Sequence, residues 1–191
     1  GPVLAYNLCE YGTTTRGREK LENLLTRLDP GSHVMFCFGE IDCRAHIILQ
    51  SQKQNRPPEA VIQEVVTRYF SVILETRMMG FQPLIWNVIP SAPTEINNRI
   101  TVPPQYLFHG SCEERNRITR LFNQTLKTLA KSAGIQFLSL FDQLFLEDGS
   151  VNQSYFSDEI HLSQKAMPLV LESLNKLFKG NGFCDSQKRY T

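Results

Sequence analysis

The chain has 191 residues, of which 41% are hydrophobic and 20% are charged. This composition is typical of a folded domain and argues against disorder. The chain has twenty Lys and Arg residues and nineteen Asp and Glu residues, which gives a net charge of +1. No basic excess is therefore present to neutralise a nucleic-acid backbone. No apolar run approaches the ~18 residues of a membrane span. We expect one domain over residues 1–191, with no nucleic-acid partner and no membrane span.

Helix-like and strand-like segments alternate along the chain. In chain order, the pattern predicts a helix over 16–28, a strand over 33–38, a helix over 58–79, a strand over 81–89, a helix over 113–133, a strand over 135–140 and a helix over about 163–179. Residues 4–8 are a further candidate strand. Residues 48–57 and 91–110 are predicted loops.

The predicted strands are nearly all apolar rather than alternating. Such strands are typical of a parallel sheet that is covered on both faces, and the intervening helices supply the crossovers. We therefore predict an α/β fold, a three-layer α/β/α sandwich with a mostly parallel sheet. Its ligand site is expected at the carboxyl ends of the strands, beneath the two long connections.

The five cysteines argue against a zinc site and against a complete disulfide framework. They stand at positions 9, 37, 43, 112 and 184, an odd number without a Cys-x-x-Cys pair. Cys37 lies in an apolar run and is interpreted as a core residue. Reduced thiols are typical of a reducing compartment, which favours a cytoplasmic location. We expect neither a metal nor another cofactor.

The first group of candidate functional residues follows the strand at 33–38. It consists of Gly39, Glu40, Asp42, Arg44 and His46, at the position where α/β sheets place their ligands. A structural role is the alternative for each group: Gly39 would form the turn, Asp42 would cap a helix, and Glu40 and Arg44 would pair in solvent at i,i+4.

The second group, at residues 157–163, precedes the last helix. Asp158 and His161 are three residues apart, close enough for the carboxylate to accept a hydrogen bond from the imidazole ring. A histidine held in one tautomer is a competent general base near neutral pH. In the alternative reading, Asp158 or Ser163 caps the helix and His161 is an ordinary half-buried residue.

Together, and in this order, these groups resemble the SGNH (GDSL-type) hydrolases, which are three-layer α/β/α esterases and deacylases with a Ser-His-Asp triad. Residues 39–42 stand where that family has Gly-x-Asn-Asp, and residues 158–163 match its terminal Asp-x-x-His block with the following Leu-Ser. Gly12 precedes both groups, as does the family glycine whose backbone N–H contributes to the oxyanion hole. The resemblance covers nearly the whole chain and implies the flavodoxin-like SGNH fold.

The resemblance also implies roles for the candidate residues. His161 would be the general base and Asp158 its orienting carboxylate. Gly12, Gly39 and Asp42 stand at positions of the family motifs and are candidate oxyanion or substrate-binding residues on that ground. Glu40, Arg44 and His46 lie beside them in the sequence and are further candidates for the same role.

The sequence departs from the family pattern in two places. It contains no Gly-Asp-Ser block, and only eleven residues precede Gly12, so we expect the domain to be truncated at its N-terminus; loss of the nucleophile is the alternative. Ile41 replaces the family asparagine, a side chain that donates to the oxyanion, and Arg44 is a candidate replacement donor. Cys43 and the hydroxyls of residues 13–15 are alternative nucleophiles within the chain.

These observations predict a serine-type ester hydrolase that removes small acyl groups from a small-molecule or glycan ester, with a sugar O-acetyl group as the first candidate. The alternative is a catalytically inactive binding module, or a domain of a larger glycan-modifying protein. The sequence leaves the oligomeric state open.

Overall fold

A computed structural model describes residues 2–93 and 108–179. Within them, three short parallel strands form one sheet in the order β1-β2-β3. The strands are β1 (His33–Phe36), β2 (Gln82–Trp86) and β3 (Gln136–Leu138). Phe36 lies opposite Ile85, and Ile85 lies opposite Phe137, so the register aligns the carboxyl ends of the strands at one edge of the sheet.

The two crossover connections carry the long helices. Helix α3 (Pro58–Met78) lies between β1 and β2 in the chain, and α4 (Cys112–Ser132) lies between β2 and β3. Helices α3 and α4 contact each other and share the main core, so they lie on one face of the sheet. This is the arrangement expected when two right-handed crossovers step in the same direction. Helix α5 (Met167–Lys179) packs against β3 on the opposite face, with the Phe178 ring 5.4 Å from that of His33. The predicted three-layer α/β/α architecture is confirmed.

The main core lies between the sheet and helices α3 and α4. Its members are apolar side chains that are almost completely excluded from solvent, including Phe36, Val65, Tyr69, Ile73, Ile85, Ile118, Phe122 and Leu126. Burying each large side chain contributes about 1.5–3 kcal/mol, so this layer is the main source of stability.

Local sequence signals set the helix boundaries. Pro58 occupies the first turn of α3, where its missing N–H costs nothing. The Ser111 hydroxyl accepts a hydrogen bond from the Glu114 N–H at 3.0 Å and caps α4. Helix α1 (Gly17–Leu25) precedes the sheet.

In the part of the chain that the structure describes, no helix combines the length and the apolar character needed to cross a bilayer.

The predicted loop at 48–57 is wrong, because α2 (Ile47–Gln54) occupies most of it. A wider, π-helical turn over Asp42–His46 leads directly into this helix. Gln and Lys are good helix formers, and the helix continues to Asn55, which ends it in the left-handed region with φ of 49°. The two prolines that follow start the next helix and do not exclude this one.

The candidate strand at 4–8 is also wrong. This segment forms turns, in which the Asn7 N–H donates to the Leu4 carbonyl and the Leu8 N–H donates to the Ala5 carbonyl. Ala5 and Leu8 are nevertheless buried in the main core. Local hydrogen bonds satisfy the backbone here, so burial does not require a strand.

Cys37 is exposed rather than buried, which corrects its prediction as a core residue. It lies just beyond the end of β1, where the sheet faces an open pocket instead of a helix. The predicted loop at 91–110 is described only at its ends, and Cys184 lies outside the described residues.

Gly39 is needed for the close contact between the turn after β1 and helix α4. Its φ is +114°, a conformation that residues with a Cβ rarely adopt. A Cβ at this position would lie 2.8 Å from the ring of Phe122 and 2.8 Å from Val88. The absence of a side chain therefore allows the turn to approach both the core and the end of β2.

We predict that Gly39→Ala lowers the free energy of unfolding by about 3 kcal/mol or more, because strain in φ and overpacking each cost about 1–3 kcal/mol. Urea denaturation measures the change. Gly80→Ala is the matched control: Gly80 also has a positive φ, +92°, but no atom lies within 4 Å of its added Cβ. An equal loss of stability in both variants would contradict the close-contact role of Gly39.

Candidate active site

Asp158 and His161 form a hydrogen-bonded pair in the turn before the last helix. The Asp158 Oδ2 atom lies 2.7 Å from His161 Nδ1. The other carboxylate oxygen, Oδ1, accepts the backbone N–H groups of Ile160 and His161, both at 2.8 Å. One carboxylate therefore shapes the turn and orients the ring. The alternative that Asp158 or Ser163 caps the last helix by its side chain is wrong, because the helical segment begins at Gln164 without a side-chain cap bond.

This geometry fixes the protonation of the pair. Partial burial by itself would raise the pKa of Asp158, but the Ile160 N–H, the His161 ring and the His161 N–H outweigh it and lower that pKa below its usual range. An ionised Asp158 can only accept, so the neutral imidazole carries its proton on Nδ1. Nε2 is then left as the basic nitrogen, on a ring whose side chain is 66% exposed while that of Asp158 is only 19% exposed.

His161 lines an open pocket of about 280 Å³ at the carboxyl ends of β1 and β2. The other walls come from the turn after β1, from the end of β2 and from the residues next to His161: Cys37, Phe38, Glu40, Trp86, Asn87, Val88, Ile89, Ile160 and Leu162. A larger pocket, of about 420 Å³, lies beside α4 and includes neither Asp158 nor His161. The smaller pocket is the one that combines a positioned base with the expected end of the sheet.

Two buried asparagines fix the wall formed by the end of β2. The side-chain amide of Asn123 accepts from the Val88 N–H at 2.9 Å and donates to the Val88 carbonyl at 2.8 Å. Asn87 accepts from the Leu140 N–H at 2.7 Å. Because these bonds satisfy backbone groups that continue past the strand, this wall has a defined position.

Glu40 is the second ionisable side chain in the pocket. Its carboxylate accepts two hydrogen bonds from Arg44, at 2.6 Å from Nε and 3.2 Å from Nη2. The predicted i,i+4 pair therefore forms, but it is not a solvent-exposed pair, because the Arg44 side chain is only 3% exposed. Arg44 is not among the residues that line the pocket, and its guanidinium faces Glu40 and the Phe108 ring. This corrects the expectation that Arg44 replaces the missing oxyanion donor.

Asp42 is a structural carboxylate rather than a substrate ligand. It is completely buried, and it accepts the backbone N–H groups of Ala5 at 2.7 Å and Tyr6 at 3.1 Å. These bonds attach the N-terminal segment to the turn after β1. The predicted substrate-binding role of Asp42 is therefore corrected.

Gly12 and His46 also lie outside the pocket lining. The Gly12 N–H donates to the Glu19 carboxylate at 2.9 Å, so it is already engaged on the surface beside α1. The His46 ring packs 4.9 Å from that of Tyr6, and burial lowers its pKa. Neither arrangement agrees with the implied oxyanion or substrate-binding role.

Cys43 is 2% exposed and belongs to the main core, where burial raises its pKa, so it is not placed to act as a nucleophile in the pocket. The thiol that does line the pocket is Cys37. Sequence reasoning missed it, together with Trp86 and Asn87, although all three lie in the second half of a predicted strand. No group of three or more His, Cys, Asp or Glu side chains in the described ranges is arranged to hold a metal ion.

Solved structures share this architecture. The chain superposes on a GDSL-like lipase from Bacteroides thetaiotaomicron with a TM-score of 0.57 and 16% identity, over 93% of this chain and 70% of the lipase. A predicted acylhydrolase from Bacteroides fragilis gives 0.55 and 16%, over 93% and 69% of the two chains. The acetyl xylan esterase AlAXEase gives 0.52 and 11%, over 91% and 75%.

The fold is that of the SGNH hydrolases. No family profile matches the sequence, and no curated protein matches it significantly. TM-scores of 0.52–0.57 support the shared fold, whereas identities of 11–16% carry no information on the chemistry, which is argued from the pocket.

We predict that Asp158→Asn keeps the turn but reverses the tautomer of His161. The amide oxygen would retain the Ile160 and His161 N–H groups, which places the amide NH₂ against Nδ1. Nδ1 must then accept, so the ring proton moves to Nε2 and the base is lost. ¹⁵N NMR of the histidine ring would detect the exchange, with an unchanged circular dichroism spectrum as the control. A ring that keeps its proton on Nδ1 would contradict this account of the pair.

We predict that Asp42 makes stability depend on pH in a defined direction. Burial raises the pKa of Asp42 to about 6, and the Ala5 and Tyr6 N–H groups oppose this rise only in part. A pKa that is higher in the folded than in the unfolded state favours folding at low pH, and this advantage is lost as pH rises through about 6. The loss is about 3 kcal/mol relative to Asp42→Asn, which does not titrate. Unfolding curves measured from pH 4 to 7 test this, and parallel curves for the two proteins would contradict it.

Proposed function

We propose that this chain contributes the general base and its orienting carboxylate to a serine-type ester hydrolase. The observation that carries the proposal is the Asp158–His161 pair, whose ring faces a pocket at the carboxyl ends of parallel strands. A carboxylate that holds an imidazole in one tautomer is the arrangement that activates a hydroxyl nucleophile.

In the proposed reaction, a serine hydroxyl attacks the ester carbonyl carbon while His161 Nε2 takes the hydroxyl proton. The tetrahedral intermediate collapses, the C–O bond to the alcohol breaks, and His161 returns the proton to the departing alkoxide. Water then attacks the acyl-serine through the same proton transfers and releases the carboxylic acid. Asp158 stays ionised throughout and stabilises the imidazolium that forms in each step.

The serine is proposed to come from a segment outside these 191 residues. The sequence has no Gly-Asp-Ser block, and the pocket lining contains no serine. Among the described residues, β1 pairs with β2 alone, so its other edge is open to a further strand beside the pocket. Because Gly12 and Arg44 are engaged elsewhere, the oxyanion donors are proposed to arrive with the same segment.

A small acyl group on a carbohydrate is the proposed substrate class. The pocket volume of about 280 Å³ suits a short acyl chain and part of one sugar ring, at the lower end of ligand sites. The acetyl xylan esterase of the same fold supports this choice by analogy. The four described cysteines are free, which supports the proposed reducing, cytoplasmic location.

A catalytically inactive, glycan-binding module is the second candidate. Ile41, an apolar side chain, stands at the position of the family asparagine that donates to the oxyanion. Loss of one such donor typically costs about 10²–10³ in turnover, so a binding role is favoured if no other donor replaces it.

The test is ester hydrolysis by the longest natural polypeptide that contains this chain, with p-nitrophenyl acetate and an acetylated sugar as substrates. His161→Ala is expected to lower kcat by about 10²–10⁴-fold, because the proton acceptor is removed. His33→Ala is the matched control, since His33 is exposed at the opposite end of β1 and is expected to leave kcat unchanged.

Full activity of His161→Ala would contradict the mechanism. Turnover by the 191-residue chain alone would contradict the external serine, and Cys37→Ala would then test the pocket thiol as nucleophile. If the natural polypeptide binds the acetylated sugar without hydrolysing it, the binding-module alternative is correct.

A further inference from the structure

Glu40 lines the same pocket as His161, and its carboxylate is paired with the buried guanidinium of Arg44. Its side chain is 30% exposed, and that of Arg44 is 3% exposed. Both oxygens of Glu40 already accept from Arg44, at 2.6 and 3.2 Å. A carboxylate has about four acceptor positions, so acceptor capacity is left for a ligand in the pocket.

The cation that holds Glu40 is itself fixed in place. The Arg44 guanidinium carbon lies 4.9 Å from the centroid of the Phe108 ring, and Arg115 lies at the same distance from that ring. Arg115 is buried and donates to the Gly110 carbonyl at 2.7 Å. This packing holds the Arg44 fork in one orientation, and a planar fork orients the carboxylate more strictly than an ammonium group would.

We propose that Glu40 is a specificity-determining residue that accepts a hydrogen bond from a free hydroxyl group of the substrate, and that Arg44 is its positioning residue. The inference rests on the proposed function of the pocket and narrows its substrate to esters of polyhydroxylated, uncharged alcohols, as carbohydrates are.

The charge and the walls of the pocket both favour this class. The Glu40–Arg44 pair is neutral as a unit, so it offers an acceptor without the net negative charge that would select an ammonium group. A fully ionised carboxylate or phosphate on the substrate has no hydrogen to donate to Glu40. The remaining walls of the pocket are largely apolar, including Phe38, Trp86 and Val88. Sugar rings combine apolar C–H faces with hydroxyl donors and therefore match both features.

The experiment compares two substrates on the longest natural polypeptide that contains this chain. Methyl glucoside with a single acetyl group has free hydroxyls near the ester, whereas p-nitrophenyl acetate has none. Glu40→Ala is expected to lower the ratio of kcat/KM for the sugar ester to that for p-nitrophenyl acetate by about 10- to 100-fold, chiefly through KM. Arg44→Lys is expected to lower the same ratio, because it keeps the charge but loses the fork. Glu59→Gln, at a surface ion pair with Arg117, is the control and leaves both substrates unchanged.

Equal losses on the two substrates, or no loss on either, would overturn the proposal. If the wild-type protein hydrolyses neither ester, the proposed function fails, and calorimetric binding of the same acetylated glucoside decides the role of Glu40. Binding that is lost in Glu40→Ala supports the recognition role. Three results overturn it: the wild-type protein does not bind the acetylated glucoside, both proteins bind it equally, or the wild-type protein prefers acetylcholine, an ester that carries an ammonium group.

Discussion

The candidate site depends on three hydrogen bonds to one carboxylate. Asp158 accepts two backbone N–H groups through one oxygen and the His161 ring through the other. The backbone bonds fold residues 158–161 into a tight turn, and the third bond uses that turn to orient the ring. Because all three donors favour the ionised carboxylate, they also keep it charged despite its partial burial.

The parallel sheet gives this turn a partner surface. The register of β1 and β2 places their carboxyl ends together, and Gly39 lets the turn after β1 approach Val88 and Phe122 closely. Glu40 follows Gly39 immediately and so lines the same pocket as His161, although His161 comes more than a hundred residues later in the chain. The site thus combines one local interaction with one long-range arrangement imposed by the fold.

The alternation of the three strands with the long helices α3, α4 and α5 could be predicted because hydrophobic periodicity records which faces are buried. The contact between Asp158 and His161 could be predicted for a different reason: residues three apart in a turn are close whatever the rest of the chain does. The contacts of Asp42 with the Ala5 N–H and of Arg44 with the Phe108 ring could not be predicted from the sequence, because packing between distant segments sets them. Helix α2 was missed because its polar composition contains no apolar stripe, and its stability comes from Ile47 and Ile48 in the core.

We propose that an ester carbonyl reacts in the pocket beside His161. The most direct measurement is a crystal structure of the longest natural polypeptide containing this chain after reaction with a fluorophosphonate ester, which traps the serine of such hydrolases as a phosphonyl adduct. We expect an adduct in the pocket between Glu40 and His161, with the modified oxygen within hydrogen-bonding distance of His161 Nε2. An adduct remote from His161, or a protein that remains unmodified while it still hydrolyses esters, would contradict it.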